Sequence, residues 1–323
     1  MFYHGGLLMR PVPALSHGFT LIELMISLVL GLLISAAVIQ IYLVNARTSA
    51  TQQSGSELQD ASMFGLQQLE NKLRIANLGN NITTIDNETV GGGVVLSPLN
   101  IYLPIANKSF DSLFTNSADD ASFVKTSNMI SANSDQLTIQ YKNITDSPIT
   151  DCESADVVKD EIAIERYFLR SSTTSGQGLV LACDAGRIGT AGIKSYTPST
   201  DSKNFSVGTN GQEFIMGVDQ FKILLGTQTN QAGTAGRMQY LTPKQYNDLA
   251  TKPPIIAVKI GMIARGSKAV IGSSTKNTFS LFGTDYTLAV GQPKRVRNSY
   301  ESTSLLRNAR VVNVDISADL AGN

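Results

Sequence analysis

Tryptophan is absent from these 323 residues, and histidine occurs only at His4 and His17. Both histidines stand before a long apolar run, so a chain trimmed at that run would hold none. Such a mature chain has no His-dependent acid–base catalysis, no Ser–His or Cys–His nucleophile pair and no His-ligated metal. No catalytic residue, cofactor or metal ligand is therefore expected. Cysteine is equally scarce, with only Cys152 and Cys183. Without a CxxC or a Cys/His cluster, thiol redox and zinc chemistry have no basis in the sequence. In an exported domain an even pair reads most simply as one disulfide. Closing that loop would stabilise by about 3 to 4 kcal/mol on the chain-entropy estimate; two separate thiols are the alternative. Charge is sparse, at 16% of residues, and balanced at 26 basic against 26 acidic side chains. That balance gives no support to a nucleic-acid partner.

One stretch lacks charge altogether. From Leu24 to Ala46 there is none, and Arg47 is the next charged residue. At about 1.5 Å per residue this run can cross a hydrocarbon core of roughly 30 Å. It opens with Gly18-Phe19-Thr20-Leu21-Ile22-Glu23, which places one carboxylate inside a membrane-type helix. A carboxylate there costs on the order of 2 to 3 kcal/mol near the centre and less near an end. One reading lets Glu23 reach the lipid headgroups. The other supposes a cut between Gly18 and Phe19, which creates an α-amine mostly protonated near neutral pH. That amine and a carboxylate one turn along a neighbouring helix can pair in lipid and stagger the two helices. Ser35-Ala36-Ala37 would suit ordinary signal cleavage, but Glu23 interrupts the apolar core that such a signal needs.

From Phe19 to about Leu78 there is no proline. Leu58, Ala61, Gly65, Leu69, Leu73 and Ala76 recur at steps of three and four, with Gln59, Gln67, Glu70 and Lys72 on the other faces. Gly79-Asn80-Asn81 supplies a stop. One continuous helix of about 60 residues is expected. After Asn81 short β-type runs alternate with turn residues. They are Val94–Leu96, Gln136–Tyr141, Ile162–Leu169, Leu179–Ala182, Phe214–Leu225, Ile255–Ile263, Tyr286–Val290 and Arg310–Ile316. Ser171–Gly178 would join a hairpin with Cys152 and Cys183 just outside it, and Pro243 to Pro254 adds a short helix or turn. The fold class is α+β, a long N-terminal helix on an antiparallel β-rich domain. The boundaries are a leader at 1–18, an apolar helix at 19–46, an amphipathic helix at 47–80 and a β-rich domain at 81–323.

Few other constellations carry chemistry. Gly91-Gly92-Gly93 lacks the lysine of a phosphate loop and reads as a turn. Asp111, Asp119 and Asp120 miss the spacing of a calcium loop. Asp151, Glu153 and Asp156 flank Cys152 and either gather a cation or are solvated. Lys294, Arg295 and Arg297 either meet an acidic partner subunit or phosphate, or form an exposed loop with salt-bridge partners.

Phe19-Thr20-Leu21-Ile22-Glu23-Leu24-Met25 after Gly18 resembles the prepilin motif of type IV pilins and type II secretion pseudopilins. The resemblance implies cleavage after Gly18 by a prepilin peptidase, methylation of the Phe19 amine and subunit docking through Glu23. Four further segments resemble the PilW family of minor pilins. They are Gln59–Leu78, Gly217–Gly226 (Gly-Val-Asp-Gln-Phe-Lys-Ile-Leu-Leu-Gly), Ile255–Arg265 and Leu306-Arg307-Asn308. That family implies a single-pass inner-membrane subunit with a periplasmic domain, which primes and enters type IV pili. Its partners would be other minor pilins, the major pilin, the inner-membrane assembly platform and membrane lipid. J-type pseudopilins of type II secretion are similar, and a membrane-tethered adhesin or ligand-binding domain is a different class of reading. Two features depart from the pattern. No proline stands near Gln40, where major pilins typically have one, and Gly226–Gly236 has no acid where PilW relatives often carry an Asp-rich stretch.

Overall fold

The computed structural model describes residues 18–101, 113–120, 126–174, 176, 178–189, 211–228, 237–269 and 276–309. Helix α1 runs Leu21–Ile75 without a break, passing Gln40 as the lack of proline predicts. The chain divides into two compact units, Met1–Ser49 and Ala50–Asn323. Within the first, apolar side chains from Leu21 to Val44 are exposed all round the helix. The helix is long and apolar enough to cross a membrane. Two hydroxyls of this stretch bond back to the helix itself. Ser35 Oγ donates to Gly31 O at 2.8 Å and Thr48 Oγ1 to Val44 O at 3.0 Å. In lipid such back-bonding avoids an unpaired polar group.

The second unit begins with the C-terminal part of α1. Its buried stripe is Ser54, Leu58, Ser62, Gly65, Leu66, Leu69 and Leu73, so Ser62 takes the inward place expected of Ala61, which is exposed. Asn77, at φ +63, follows the helix end. It donates to Ile82 O and Asn308 O at 3.0 Å each and accepts from Gly93 N.

The strands are β1 (Leu137–Lys142), β2 (Ile149–Thr150), β3 (Asp156–Val157), β4 (Ile162–Ser171), β5 (Leu179–Ile188), β6 (Gln212–Met216), β7 (Val218–Gln228), β8 (Met238–Leu241), β9 (Ile255–Ala269), β10 (Thr278–Leu281), β11 (Thr284–Thr287) and β12 (Arg295–Leu305). Between β8 and β9 lies helix α2 (Pro243–Asp248), with Thr242 and Gln245 forming a reciprocal cap. Two four-stranded antiparallel sheets dominate, ordered β1-β4-β5-β6 and β12-β9-β7-β8, and β2-β3 and β10-β11 make two small ribbons. Leu66, Leu69 and Leu73 of α1 share one core with Ile139, Tyr167 and Leu181 of the first sheet and Phe221, Ile223 and Ile260 of the second. The architecture is α+β, with the amphipathic part of α1 packed against antiparallel sheet. The even-numbered residues Ile162 and Ile164 of β4 face the other way and are covered by Val95, Ile101, Leu113 and Phe114. That explains why β4 is buried along both faces.

The expected strand Phe214–Leu225 is two strands in two sheets. Gly217 separates them at φ +70, and a Cβ there would lie 2.6 Å from the Arg265 carbonyl oxygen. Only glycine accepts both conditions, and this lets the chain leave β6 beside β5 and enter β7 beside β9. Val94 makes only an isolated bridge with Ile139. The apolar residues of Tyr286–Val290 lie partly in β11 and partly beyond it. The expected strand Arg310–Ile316, most of the Gly226–Gly236 loop and most of the leader lie outside the described residues. The 11-residue strand β12 gives no sign of itself in the sequence, because Arg297-Asn298-Ser299-Tyr300-Glu301-Ser302-Thr303-Ser304 is too polar to show a period of two.

Gly217→Ala is expected to destabilise the second unit by about 1 to 3 kcal/mol. The measurement is the thermal midpoint of the full chain in detergent, and an unchanged midpoint would refute the strained hinge.

Candidate functional site

The N-terminal motif is built around two side chains. Thr20 precedes α1, and its N–H and Oγ1–H both donate to Glu23 Oε2, at 3.0 and 2.9 Å. Thr20 Oγ1 in turn accepts from Glu23 N at 3.3 Å. This is a reciprocal cap, in which a threonine and the acid three residues on each satisfy a backbone donor of the other. Sequence reasoning missed Thr20, although Thr-x-x-Glu before an apolar run is the signal that could have found it. Glu23 therefore has a local task besides any contact with a neighbour. Its charge sits in the first turn, where the helix dipole favours an anion. Both bonds that Thr20 donates go to Oε2, which leaves Oε1 outside the cap. Phe19 is 89% exposed, and the space around Gly18 is open. The bond between them is sterically accessible.

In the second unit Cys152 and Cys183 are disulfide-bonded, with Cα atoms 6.1 Å apart, inside the roughly 4.4–6.8 Å that such bonds span. Cys183 lies within β5 rather than outside the hairpin, because that strand continues to Ile188. Beside the bond sits Glu165 of β4, fully buried. Its carboxylate accepts from Lys72 Nζ at 2.9 Å, Tyr141 Oη at 2.8 Å, Tyr167 Oη at 2.6 Å and the Cys152 N–H at 3.1 Å. Burial and the adjacent carboxylate raise the pKa of both tyrosines, so they stay protonated donors. The two sulfurs and Glu165 stand close enough together to suggest a metal site. The chemistry does not fit one, since disulfide sulfurs are not thiolates and four donors already occupy the carboxylate.

The acids around Cys152 do not converge on an open cation site. Asp151 Oδ1 accepts from the N–H groups of Glu153 and Ala155, at 3.0 and 2.8 Å, and Oδ2 faces Arg187 at 3.4 Å. Asp156 is exposed in β3. Glu153 is different, because burial, then Asp184 and Asp151, push its pKa up to about 7, against opposing bonds from the N–H groups of Ala185 and Gln212. Gly91-Gly92-Gly93 forms a turn, with Gly92 N donating to Thr89 O at 2.9 Å. Asp119 and Asp120 belong to a turn in which Asp120 N donates to Ser117 O at 3.1 Å, and Asp111 lies outside the described residues.

The basic cluster is not an exposed loop. Arg295 and Arg297 open β12, and Arg297 is buried, its Nε donating to Asp219 Oδ2 at 2.7 Å. Lys294 is exposed. Asp219 is fully buried and also accepts from Asn128 Nδ2 at 2.6 Å and from Arg265. Asp219 and Arg265 also escape sequence reasoning, since nothing local marks residues from three strands as one cluster.

Two family models match the chain in separate stretches. That of the prokaryotic N-terminal methylation motif matches residues 14–39, and that of "Type IV Pilus-assembly protein W" (PilW) matches residues 193–308. The chain thus joins a methylation motif containing Gly18, Phe19 and Glu23 to a W-type segment that includes β6 to β12. No curated protein matches it. Among solved structures it is similar to a type IV-like pilin from Thermus thermophilus, at 13% identity and TM-score 0.38, covering 78% of this chain and 97% of that one. A likeness that remote says nothing of function.

The raised pKa of Glu153 has a sign. The folded state holds its proton up to about 7 against a reference of 4.5, so its contribution to stability is greatest below that reference and falls as pH rises toward 7. The thermal midpoint of the full chain should therefore drop from pH 5 to pH 8 by more than that of Glu153→Gln. Parallel pH profiles for the two would contradict this.

Proposed function

We propose that this chain is a minor pilin of the PilW type, which primes assembly of type IV pili and enters them through helix-mediated docking. The observation that carries the reading is the methylation motif, with its exposed Gly18–Phe19 bond and capped Glu23, on the same chain as a W-type segment. The role is structural rather than catalytic. In this reading residues 1–18 are a leader, 19–46 lie in the inner membrane, 47–80 form the amphipathic part of the helix and 81–323 form a periplasmic domain.

The mechanism derives from charge and position. A prepilin peptidase cuts after Gly18 and methylates the new amine of Phe19. In the bilayer that cation and the Glu23 carboxylate are each costly alone. Pairing the Phe19 amine of one subunit with Glu23 of the next removes both costs and fixes an axial stagger between helices. Thr20 holds Oε2 and so presets the carboxylate, while Oε1 takes the incoming amine. The cap and the intersubunit pair need not compete. Other minor pilins, the major pilin and the assembly platform are the partners this implies. Because it carries the acid, the subunit needs a neighbour beyond it and does not sit at the extreme tip.

The motif is shared with J-type pseudopilins of type II secretion, and the W-type match at 193–308 favours the pilus. Loss of twitching or DNA uptake on deletion supports the pilus reading, whereas loss of protein secretion supports the pseudopilin.

Mass spectrometry of the mature protein should find methylated Phe19 as its first residue; any other N-terminus refutes the processing step. Glu23→Ala should leave the domain folded but reduce surface pili and recovery of minor-pilin complexes by about tenfold or more. Unchanged pilus number would remove Glu23 from docking.

A further inference from the structure

The cluster around Asp219 is unbalanced. Arg265 and Arg297 both pair with it, and Arg297 also donates to Arg295 O and Pro293 O, at 3.3 and 3.2 Å. Arg295 is the third guanidinium, and among the described residues it has no ion pair. Its Nη1 donates only to backbone carbonyls, those of Gly266 and Ser267, and its Nε is buried with no partner. Burial, with the neighbouring Arg265 and Arg297 charges, lowers its pKa from the ordinary arginine value. An arginine stays charged nonetheless. Three guanidiniums thus gather beside Asp219, which pairs with only two of them. Counting Glu57 of the adjoining groove, they still outnumber the nearby carboxylates by one, at a partly desolvated place where excess charge is expensive.

This excess opens onto a groove of about 220 Å³ between α1 and the β6–β7 hinge. Arg265 and Arg295 line its floor, and Leu58, Ala61 and Met216 line its apolar side. The groove's own acid, Glu57, is exposed and accepts from Ser267 Oγ, so its charge offsets one of the three guanidiniums and leaves one in excess. The volume lies below the roughly 300–1,000 Å³ of clefts that enclose drug-sized ligands. It suits one acidic side chain. The exposed Met216 and Ala61 beside the guanidiniums favour a carboxylate flanked by an apolar residue over a free ion, which would leave that side uncovered.

We infer that the groove between Leu58–Ala61 of α1 and Arg265/Arg295 is a docking site for an Asp or Glu side chain of a different pilin subunit. The inference rests on the assembly role proposed above and adds a contact in the β-rich unit, separate from Glu23. The incoming carboxylate would complete the charge balance that Asp219 and Glu57 leave unfinished. Charge-assisted bonds from arginine are the stronger kind, and the apolar rim would exclude water from them.

The test uses the full chain in cells that assemble its native complex, with a photoreactive residue in place of Ala61. Illumination should link it to a different pilin subunit, on a peptide that carries Asp or Glu. Arg295→Gln should lower that yield by about tenfold. It should leave folding intact, checked by the oxidised Cys152–Cys183 pair, since Arg295 holds no carboxylate of its own chain. Met216→Glu, which adds a like charge at the exposed rim without touching the cluster, should lower the yield as well. Reversing the linked acid to Lys should restore linkage to Arg295→Glu. Unchanged yield in both single variants, linkage only to lipid or to a second copy of this chain, or failure of the charge swap would each overturn the site. If Phe19 is found methylated while the groove variants link normally, only this inference falls and the assembly reading stands.

Discussion

The second unit depends on a charge that has been removed from water. Glu165 is fully buried, and a carboxylate in that position is tolerable only if its lone pairs are occupied. The donors come from four places: Lys72 on α1, Tyr141 on β1, Tyr167 on β4 itself and the Cys152 N–H beside the disulfide. Helix, sheet and crosslink are thereby tied to one point. Lys72 also donates to Thr150 O at 2.6 Å, so the same ammonium reaches the loop that carries Cys152. Hydrophobic burial of Leu66, Leu69 and Leu73 supplies the driving force but little register. A helix could slide a turn and still bury leucines. The Lys72–Glu165 pair penalises that slide, because a shifted helix would strand a charge on each side.

Asp219 plays the corresponding part in the second sheet, with a different outcome. Its partners Arg265 and Arg297 come from β9 and β12, and Arg265 also donates to Leu179 O in β5 at 3.2 Å. One side chain therefore bridges the two sheets close to Gly217, where the chain passes from one to the other. The hinge and the ion cluster support each other. Gly217 O accepts from Arg265 N at 2.7 Å, so the residue that forbids a side chain at the hinge also delivers a guanidinium to Asp219. Where Glu165 is closed on all sides, the arginine cluster stays open along the groove beside α1. The first is a structural anchor and the second has capacity left over.

Local patterns are legible in the sequence, and non-local ones are not. The unbroken helix follows from the absence of proline through Gln40. Its buried stripe reads correctly at Leu58, Gly65, Leu69, Leu73 and Ala76, while Ser62 replaces Ala61 and Ser54 and Leu66 are added. The strong apolar strands β4, β7 and β9 announce themselves because both of their faces are covered. β12 does not, since as a polar edge strand its residues alternate in exposure without alternating in hydrophobicity. The join at Gly217 reads as one strand because φ is not written in composition. Of the candidate residues, Gly18, Phe19 and Glu23 are legible from a local motif. Thr20, which shapes the same motif, is as local as they are, and its spacing to Glu23 is a known cap signature. Asp219 could not be found by spacing at all, as its partners Arg265 and Arg297 lie 46 and 78 positions away.

Glu23 is an energetic defect in an apolar run, and the cap changes the size of that defect. An unbonded carboxylate in lipid would be expelled or protonated. Bonded to Thr20 and aligned with the helix dipole, it is held in place at a helix end where water or headgroups can still reach it. What remains uncompensated is one oxygen and most of the charge. That residue of instability is useful only if something cationic arrives, and on the proposed reading a chain cut after Gly18 would present a cation at its first residue. The same logic governs the arginine groove, with signs reversed. On the proposed reading, in both places the chain satisfies a charge far enough to fold and leaves enough unsatisfied for a second molecule to be the lower-energy solution.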